Sequence, residues 1–249
     1  MKYMGSKARH AKEILNVILN EVNNNSTKYT SWVEPFVGGA NMIDKVPSKY
    51  IRYGNDINSD LIFLFQSIQD GSYTPPDELS EEEYKEARNQ NVNPAHRAFV
   101  GIGCSYSGKW FGGYARGNNS KGQPRNYCLE SKNNLLSQNI ENVIFTSKDY
   151  QLMKIPYHSI IYCDPPYSGT TKYKDDFDHS IFWKWCEEQT KKENLVFVSE
   201  YHAPNNWECI WEKKVNNTLV KETGSKQGVE RLFKFVDRKL ELDNALNKE

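Results

Sequence analysis

Ile160-Ile161-Tyr162-Cys163-Asp164-Pro165-Pro166-Tyr167 is the stretch on which the reading of this chain turns. The apolar run Ile160–Cys163 has the length and composition of a buried strand, and it stops at an acid followed by two prolines. Proline has a fixed φ and no backbone N–H, so the pair ends the strand and holds the local carbonyl groups rigidly toward a ligand. A carboxylate on Asp164 beside the Pro165 carbonyl makes two acceptors for an exocyclic amino group, and Tyr167 can stack on a flat ring. Taken alone, the triplet also fits a turn with a capping acid. Its place at the end of a buried strand favours a ligand site.

Working outward, further β-prone runs occur at Ser31–Val37, Tyr50–Asn55, Asn142–Thr146, Asn194–Ser199 and Val229–Phe235. Helical patterns lie between them: Ile14, Leu15, Ile18, Leu19 and Val22 form one stripe, Leu61, Ile62, Leu64, Phe65 and Ile68 a second, and Ser180–Lys192 a third. Strands alternating with helices predict an α/β fold with a mostly parallel sheet covered on both faces. In such sheets ligands bind beyond the carboxyl ends of the strands. Two more features fall at those ends. Phe36-Val37-Gly38-Gly39-Ala40-Asn41 closes the first strand, where glycines let backbone N–H groups approach a ligand closely. Asp56 closes the second, at a separation from Gly38 that suits a carboxylate holding ribose hydroxyls. Neither G-x-G-x-x-G nor G-x-x-x-x-G-K-[ST] occurs, which argues against dinucleotide and P-loop chemistry.

The texture changes between residues 58 and 134, which read as an inserted, mainly helical lobe carrying a hairpin. The remaining residues, 1–57 and 135–249, read as the catalytic domain. Within the insert, Gly101–Gly117 is rich in glycine, aromatics and cations. From Arg97 to Lys132 there are six cations (Arg97, Lys109, Arg116, Lys121, Arg125, Lys132) against the single acid Glu130, the footprint of a surface that tracks phosphates. This matters because the whole chain, with 32 Lys plus Arg and 32 Asp plus Glu, is formally neutral. Bulk charge alone therefore holds no partner. An acidic block at Asp77–Glu86 offsets the basic stretch and the basic N-terminal dozen. No apolar run approaches the roughly 20 residues of a membrane span. Five cysteines at wide spacing form neither a disulfide framework nor a zinc motif. A cytoplasmic, membrane-free protein without a metal is expected.

Lys2-Tyr3-Met4-Gly5-Ser6-Lys7, Glu34-Pro35-Phe36-Val37-Gly38-Gly39, Asn55-Asp56-Ile57-Asn58 and Asp164-Pro165-Pro166-Tyr167 occur in the order found in the Dam-like, D12-class DNA adenine N6-methyltransferases, and the chain resembles that family along essentially its whole length. The resemblance implies a Rossmann-like methyltransferase sheet in the α-group arrangement, with the target-recognition lobe between the glycine and Asp-Pro-Pro-Tyr motifs. It implies S-adenosylmethionine (AdoMet) as methyl donor, S-adenosylhomocysteine as product, and a flipped-out adenine in double-stranded DNA as acceptor, with GATC or a related short site the family-level expectation. Carried over residue by residue, Tyr3 and Lys7 would lie near the methionine moiety, Phe36, Gly38 and Gly39 would form the cofactor loop, and Asp56 would be the ribose acid. Asp149, in Lys148-Asp149-Tyr150, would sit beside the cofactor's adenine. Asp164, Pro165, Pro166 and Tyr167 would hold the target base, with Asp164 also at the cofactor. Tyr106, Lys109, Trp110, Phe111, Tyr114 and Arg116 resemble the recognition hairpin, where an arginine can read guanine O6 and N7, and Arg125 is a further candidate for DNA contact. The sequence departs from the family pattern at Gly5-Ser6-Lys7, in place of Gly-Gly-Lys, and at Ala40-Asn41 after the glycines.

Other readings stand beside this one. Cytosine N4, an RNA adenine or a protein glutamine are alternative planar acceptors; Asp rather than Ser or Asn before Pro-Pro favours adenine. A DNA-binding regulator that keeps the fold without transfer is a different class, against which Asp56, Asp164 and Tyr167 argue. The resemblance further suggests a monomer or weak dimer in a bacterial or phage-infected cell, solitary or part of a restriction-modification pair.

Overall fold

Residues 1–89, 91–166, 177–216 and 227–236 are described in the computed structural model. Among them the strands are β1 (Ser31–Glu34), β2 (Ile51–Asn55), β3 (Val143–Thr146), β4 (Ser159–Cys163), β5 (Leu195–Ser199), β6 (Trp207–Asn216) and β7 (Gln227–Phe235). The helices are α1 (Ala11–Asn23), α2 (Ser59–Gln69), α3 (Glu81–Glu86), α4 (Pro94–Ala98), α5 (Tyr127–Leu136) and α6 (His179–Lys191). The strands form one mixed sheet in the order β3-β2-β1-β4-β5-β7-β6. Its β2–β3, β1–β4 and β4–β5 pairs are parallel, with Ser31 opposite Ser159 and Ile160 opposite Leu195. β7 runs antiparallel to both β5 and β6.

The expected α/β sheet is therefore present, with one strand the sequence reading lacked. That strand is β6, whose Glu208, Glu212, Lys213 and Lys214 obscure any alternation, and whose register shifts between Cys209 and Trp211. Charge and a bulge are what an edge strand carries to avoid pairing with other chains. The interior strands are the reverse: every residue of β1, β4 and β5 is buried, and β4 and β5 read as nearly continuous apolar runs, while β1 carries Trp32 and Val33 between Ser31 and Glu34.

The chain divides into two compact units, Met1–Lys12 with Phe36–Met153 and Glu13–Pro35 with Lys154–Glu249. In the first, Phe65 of α2 stacks on Phe145 of β3 with ring centroids 4.9 Å apart. Asn58 caps α2 by accepting from the Leu61 N–H, and Asp60 in its first turn holds Arg97 of α4 at 2.5 Å. Residues 58–134 lie inside this unit.

In the second unit, the core is built on Trp32, Phe182 and Phe197, all fully buried. Ile14 and Ile18 bury the apolar stripe of α1. Glu13–Lys213 and Glu21–Lys234, both 2.6 Å, tie the same helix to β6 and β7, but such exposed pairs contribute little beside the stripe. β1 and β4 are neighbours, while the chain runs from β1 toward β2 and from β4 toward β5. The strand order thus reverses between them, and the carboxyl ends of β1 and β4 mark a topological switch point. No helix among the described residues is long and apolar enough to cross a membrane.

Gly54 of β2 has no room for a side chain. A Cβ there would lie 2.8 Å from the Phe145 ring and 3.1 Å from Val37 Cγ2. Gly54→Ala should therefore push Phe145 off Phe65 and destabilise the protein by about 1–3 kcal/mol in urea unfolding, the usual cost of overpacking; an unchanged midpoint would contradict this packing.

Candidate active site

The glycine loop of the first unit is held from three sides. From β2, Asp56 Oδ2 accepts from the Gly38 N–H at 3.0 Å, while its Oδ1 accepts from the Asn58 N–H at 3.0 Å. The Val37 N–H donates to the Asn55 carbonyl at 2.7 Å, so the chain leaving β1 is pinned to the end of β2. From the N-terminal segment, the Tyr3 ring lies against Gly38: a Cβ at this residue, whose φ is +46°, would sit 3.0 Å from Tyr3 Cε1. A Cβ on Gly39 would come within 2.7 Å of both Tyr3 Cβ and Asn41 Nδ2. Both glycines are thus required by close approach.

The third hold comes from Gln138, after α5, whose Nε2 donates to the carbonyls of Gly39 at 2.8 Å and Ala40 at 3.0 Å. The two departures from the family pattern meet here. Asn41 Nδ2 donates to Ser6 Oγ at 2.8 Å and to the Met1 carbonyl at 2.8 Å. A serine in place of glycine and an asparagine after the loop are two halves of one hydrogen bond.

The remaining residues assigned to the cofactor divide by what they touch. Phe36 packs on Tyr150 with centroids 5.2 Å apart. Asp149 caps the turn Tyr150–Leu152 by accepting from the Gln151 N–H at 2.9 Å. That turn is fastened to β2 by Asn55, whose Nδ2 donates to the Lys148 carbonyl at 2.9 Å and whose Oδ1 accepts from the Lys148 N–H at 3.1 Å. Lys7 is buried, with Nζ 3.4 Å from the Gly5 carbonyl. Tyr3, Gly38, Gly39 and Asp56 are therefore brought together directly, and Asp149 is joined to Asp56 through Asn55 and β2. Gln138 was not singled out in the sequence; Asn41 was noted only as a departure from the family pattern, and Asn55 only as the residue before the acid.

The second unit carries the acid-proline turn. β4 ends at Cys163, followed by half-buried Asp164 and buried Pro165. Tyr167 lies outside the described residues. The ring of Tyr162 stacks toward Trp32 at 6.3 Å, and its hydroxyl shares a 2.8 Å hydrogen bond with Ser199 at the end of β5. Burial pushes the Tyr162 phenol well above its ordinary range, and the charge of Asp164 pushes it further, joined by Glu34 and Glu230. Glu34 is itself buried at the end of β1 and accepts from Trp32 Nε1 at 2.8 Å.

The basic stretch is less free than its composition suggests. Arg97 is held by Asp60, Arg116 by Glu81, Arg125 by Glu130 and Lys132 by Asp77. Three of these acids lie outside the segment in which the cations were counted, so the local excess is largely neutralised in space. Lys109 and Lys121 stand outside such pairs among the described residues. Instead of a regular hairpin, this region has isolated bridges, Ser105 with Tyr114 and Asn118 with Pro124. Tyr106 is exposed, Trp110 is half-buried edge-on to Phe111, and the Tyr114 hydroxyl donates to the Leu79 carbonyl at 2.6 Å.

An α/β sheet with a glycine loop after its first strand, an acid after its second and Asp-Pro-Pro after its fourth is the frame of a methyltransferase. The chain belongs to the D12 class N6 adenine-specific DNA methyltransferase family, whose model matches residues 3–102 and 111–223. No curated protein matches it. The matched residues include the N-terminal, glycine-loop, Asp56 and Asp-Pro-Pro-Tyr motifs, and the family's substrate is DNA. Residues 103–110 fall between the two matched stretches.

Burial raises the Asp56 carboxyl above the ordinary aspartate range, and the Asn58 and Gly38 N–H groups pull it part of the way back. A carboxyl that titrates higher folded than unfolded makes the native state hold its proton more tightly. Stability then falls as pH rises from the ordinary aspartate value to the raised one. Asp56→Asn should remove this slope: in unfolding measured across that window, the wild type should lose stability relative to the variant, and parallel curves would refute the assignment.

Proposed function

We propose that this enzyme transfers a methyl group from AdoMet to N6 of an adenine turned out of duplex DNA, with Asp164 as the group that receives the amine. The observation that carries the reading is the position of Asp164-Pro165-Pro166 directly after the buried strand β4, at the switch point of the sheet. The first unit has features that suit the donor: a two-glycine loop approached closely by Tyr3, and a buried carboxylate whose two oxygens each accept one backbone N–H and keep a lone pair for a ribose hydroxyl. Tyr3, Lys7, Phe36, Gly38, Gly39, Asp56 and Asp149 are the residues assigned to hold it.

When bound, AdoMet supplies an electrophilic methyl group on a sulfonium that is its own leaving group. The protein's task is then alignment and electrostatic support. The amino nitrogen of adenine shares its lone pair with the ring, and it becomes a better nucleophile as that pair is localised. Asp164 assists by accepting an N6–H hydrogen bond and drawing the proton that the nitrogen must lose. Pro165 and Pro166 have no N–H, so this turn offers acceptors where an amine needs them. The charge of Asp164 itself favours a nitrogen gaining positive charge. The target base is out of reach inside a duplex, so it is turned out and stacked on Tyr167.

Incubation with methyl-tritiated AdoMet and unmethylated duplex DNA should place label in N6-methyladenine, and Asp164→Ala should lower the rate by about 10²–10³-fold, the scale for removing one preorganised polar group. Absence of label would defeat the proposal and leave a non-catalytic DNA-binding role; label in cytosine or RNA would redirect it. Among the described residues, Lys109 has no ion pair, and it lies on the proposed DNA face. Lys109→Ala should weaken binding to all duplexes alike and reduce the log-log salt slope by about one, as measured by fluorescence anisotropy.

A further inference from the structure

Residues Met1–Ser6 lie between two loops of the first unit and touch both closely. On one side are the glycine-loop contacts of Tyr3 and the Asn41 hydrogen bonds to Ser6 and Met1. On the other is the turn Tyr106–Gly108. Gly108 has a φ of +68°, and a Cβ there would lie 2.8 Å from both Tyr3 Cα and Tyr3 N. These are backbone atoms, which cannot swing aside as a side chain could. The Met4 N–H donates to the Gly108 carbonyl at 3.1 Å, and Lys2 Nζ lies 4.9 Å from the centre of the Tyr127 ring, which Arg125 also covers at 4.6 Å.

The turn is strained as well as close. Ser107 at φ +56° and Phe111 at φ +42° both occupy left-handed backbone without being glycine. Such strain persists only where surrounding contacts enforce it, and it gathers at switching or binding segments. Gly108 also lies in residues 103–110, which the family match does not cover. Tyr106 and Lys109, assigned above to DNA, flank it in the chain.

We infer that Gly108 is a positioning residue through which DNA bound at the Tyr106–Arg116 stretch tightens the AdoMet loop, with Met1–Ser6 as the strap between them. The inference rests on the AdoMet and DNA reading given above. A shift of the turn moves the Tyr3 backbone, and the Tyr3 ring lies on Gly38. Closely packed groups pass such a displacement on because there is no void to absorb it. The coupling is reciprocal: the factor by which duplex DNA tightens AdoMet is the factor by which AdoMet tightens duplex DNA.

The test is AdoMet affinity by calorimetry, with and without saturating unmethylated duplex, for the full chain and for Gly108→Ala. Gly122→Ala is the control, because Gly122 has a φ of +77° in the same region but nothing within 4 Å of its Cβ position. The wild type and the control should bind AdoMet about fivefold or more tightly with duplex present, within the usual range of coupling factors. Gly108→Ala should bring that ratio close to one. A ratio near one in a wild type that binds both ligands, or an undiminished ratio in Gly108→Ala, overturns the inference. A wild type that binds neither ligand overturns the functional reading instead. If Gly108→Ala does not fold by circular dichroism, hydrogen exchange of the wild type decides. Duplex alone should raise protection of the amides in 1–7 and 36–42, and unchanged protection at saturation counts against the strap.

Discussion

A buried carboxylate facing two backbone N–H groups is the constraint on which the first unit is organised. Burying Asp56 carries a desolvation cost, offset in part by hydrogen bonds from Asn58 and Gly38. Each donor belongs to a different element. Gly38 is in the loop leaving β1, and Asn58 is the residue that caps α2. One side chain therefore sets the distance between a loop and a helix start, while its neighbour Asn55 fastens the turn carrying Asp149. Moving Asp56 would disturb three segments at once, which explains why an acid assigned to ligand binding is also built into the frame.

The electrostatics of the second unit follow a different logic. Glu34, Asp164 and Glu230 come from β1, the turn after β4, and β7, and all act on Tyr162. In the reading proposed above, a cationic centre forms beside Asp164, and a carboxylate already in place would support it without rearrangement during the reaction.

Legibility in the sequence followed the physics of each feature. β4 and β5 were readable because strands buried on both faces are largely apolar, and β1 from the β-prone run that contains it. α2 was readable from its stripe. β6 was not, since an edge strand is charged for reasons that erase alternation. The motifs Asp56 and Asp164-Pro165-Pro166 were visible because strand ends are where chemistry gathers. Gln138 was hidden, because a side chain that bonds to a distant backbone leaves no periodic mark. The basic stretch misled in an instructive way: counting charge along the chain missed Asp60, Glu81 and Asp77, which fold back onto it. Ser6 and Asn41 were noted as separate departures, and their hydrogen bond shows them to be a matched pair.

Those internal ion pairs change how a polyanion would experience the protein. A phosphate that captures Arg116 or Arg125 must displace Glu81 or Glu130, so each contact is an exchange of partners, with one carboxylate returned to water. An exchange of this kind yields less net free energy than the meeting of two unpaired charges. If these arginines meet DNA as proposed, arbitrary duplex would be held loosely, and discrimination would fall to contacts that only the correct bases complete. On that reading the formal neutrality of the chain would act as a brake on indiscriminate adhesion to DNA.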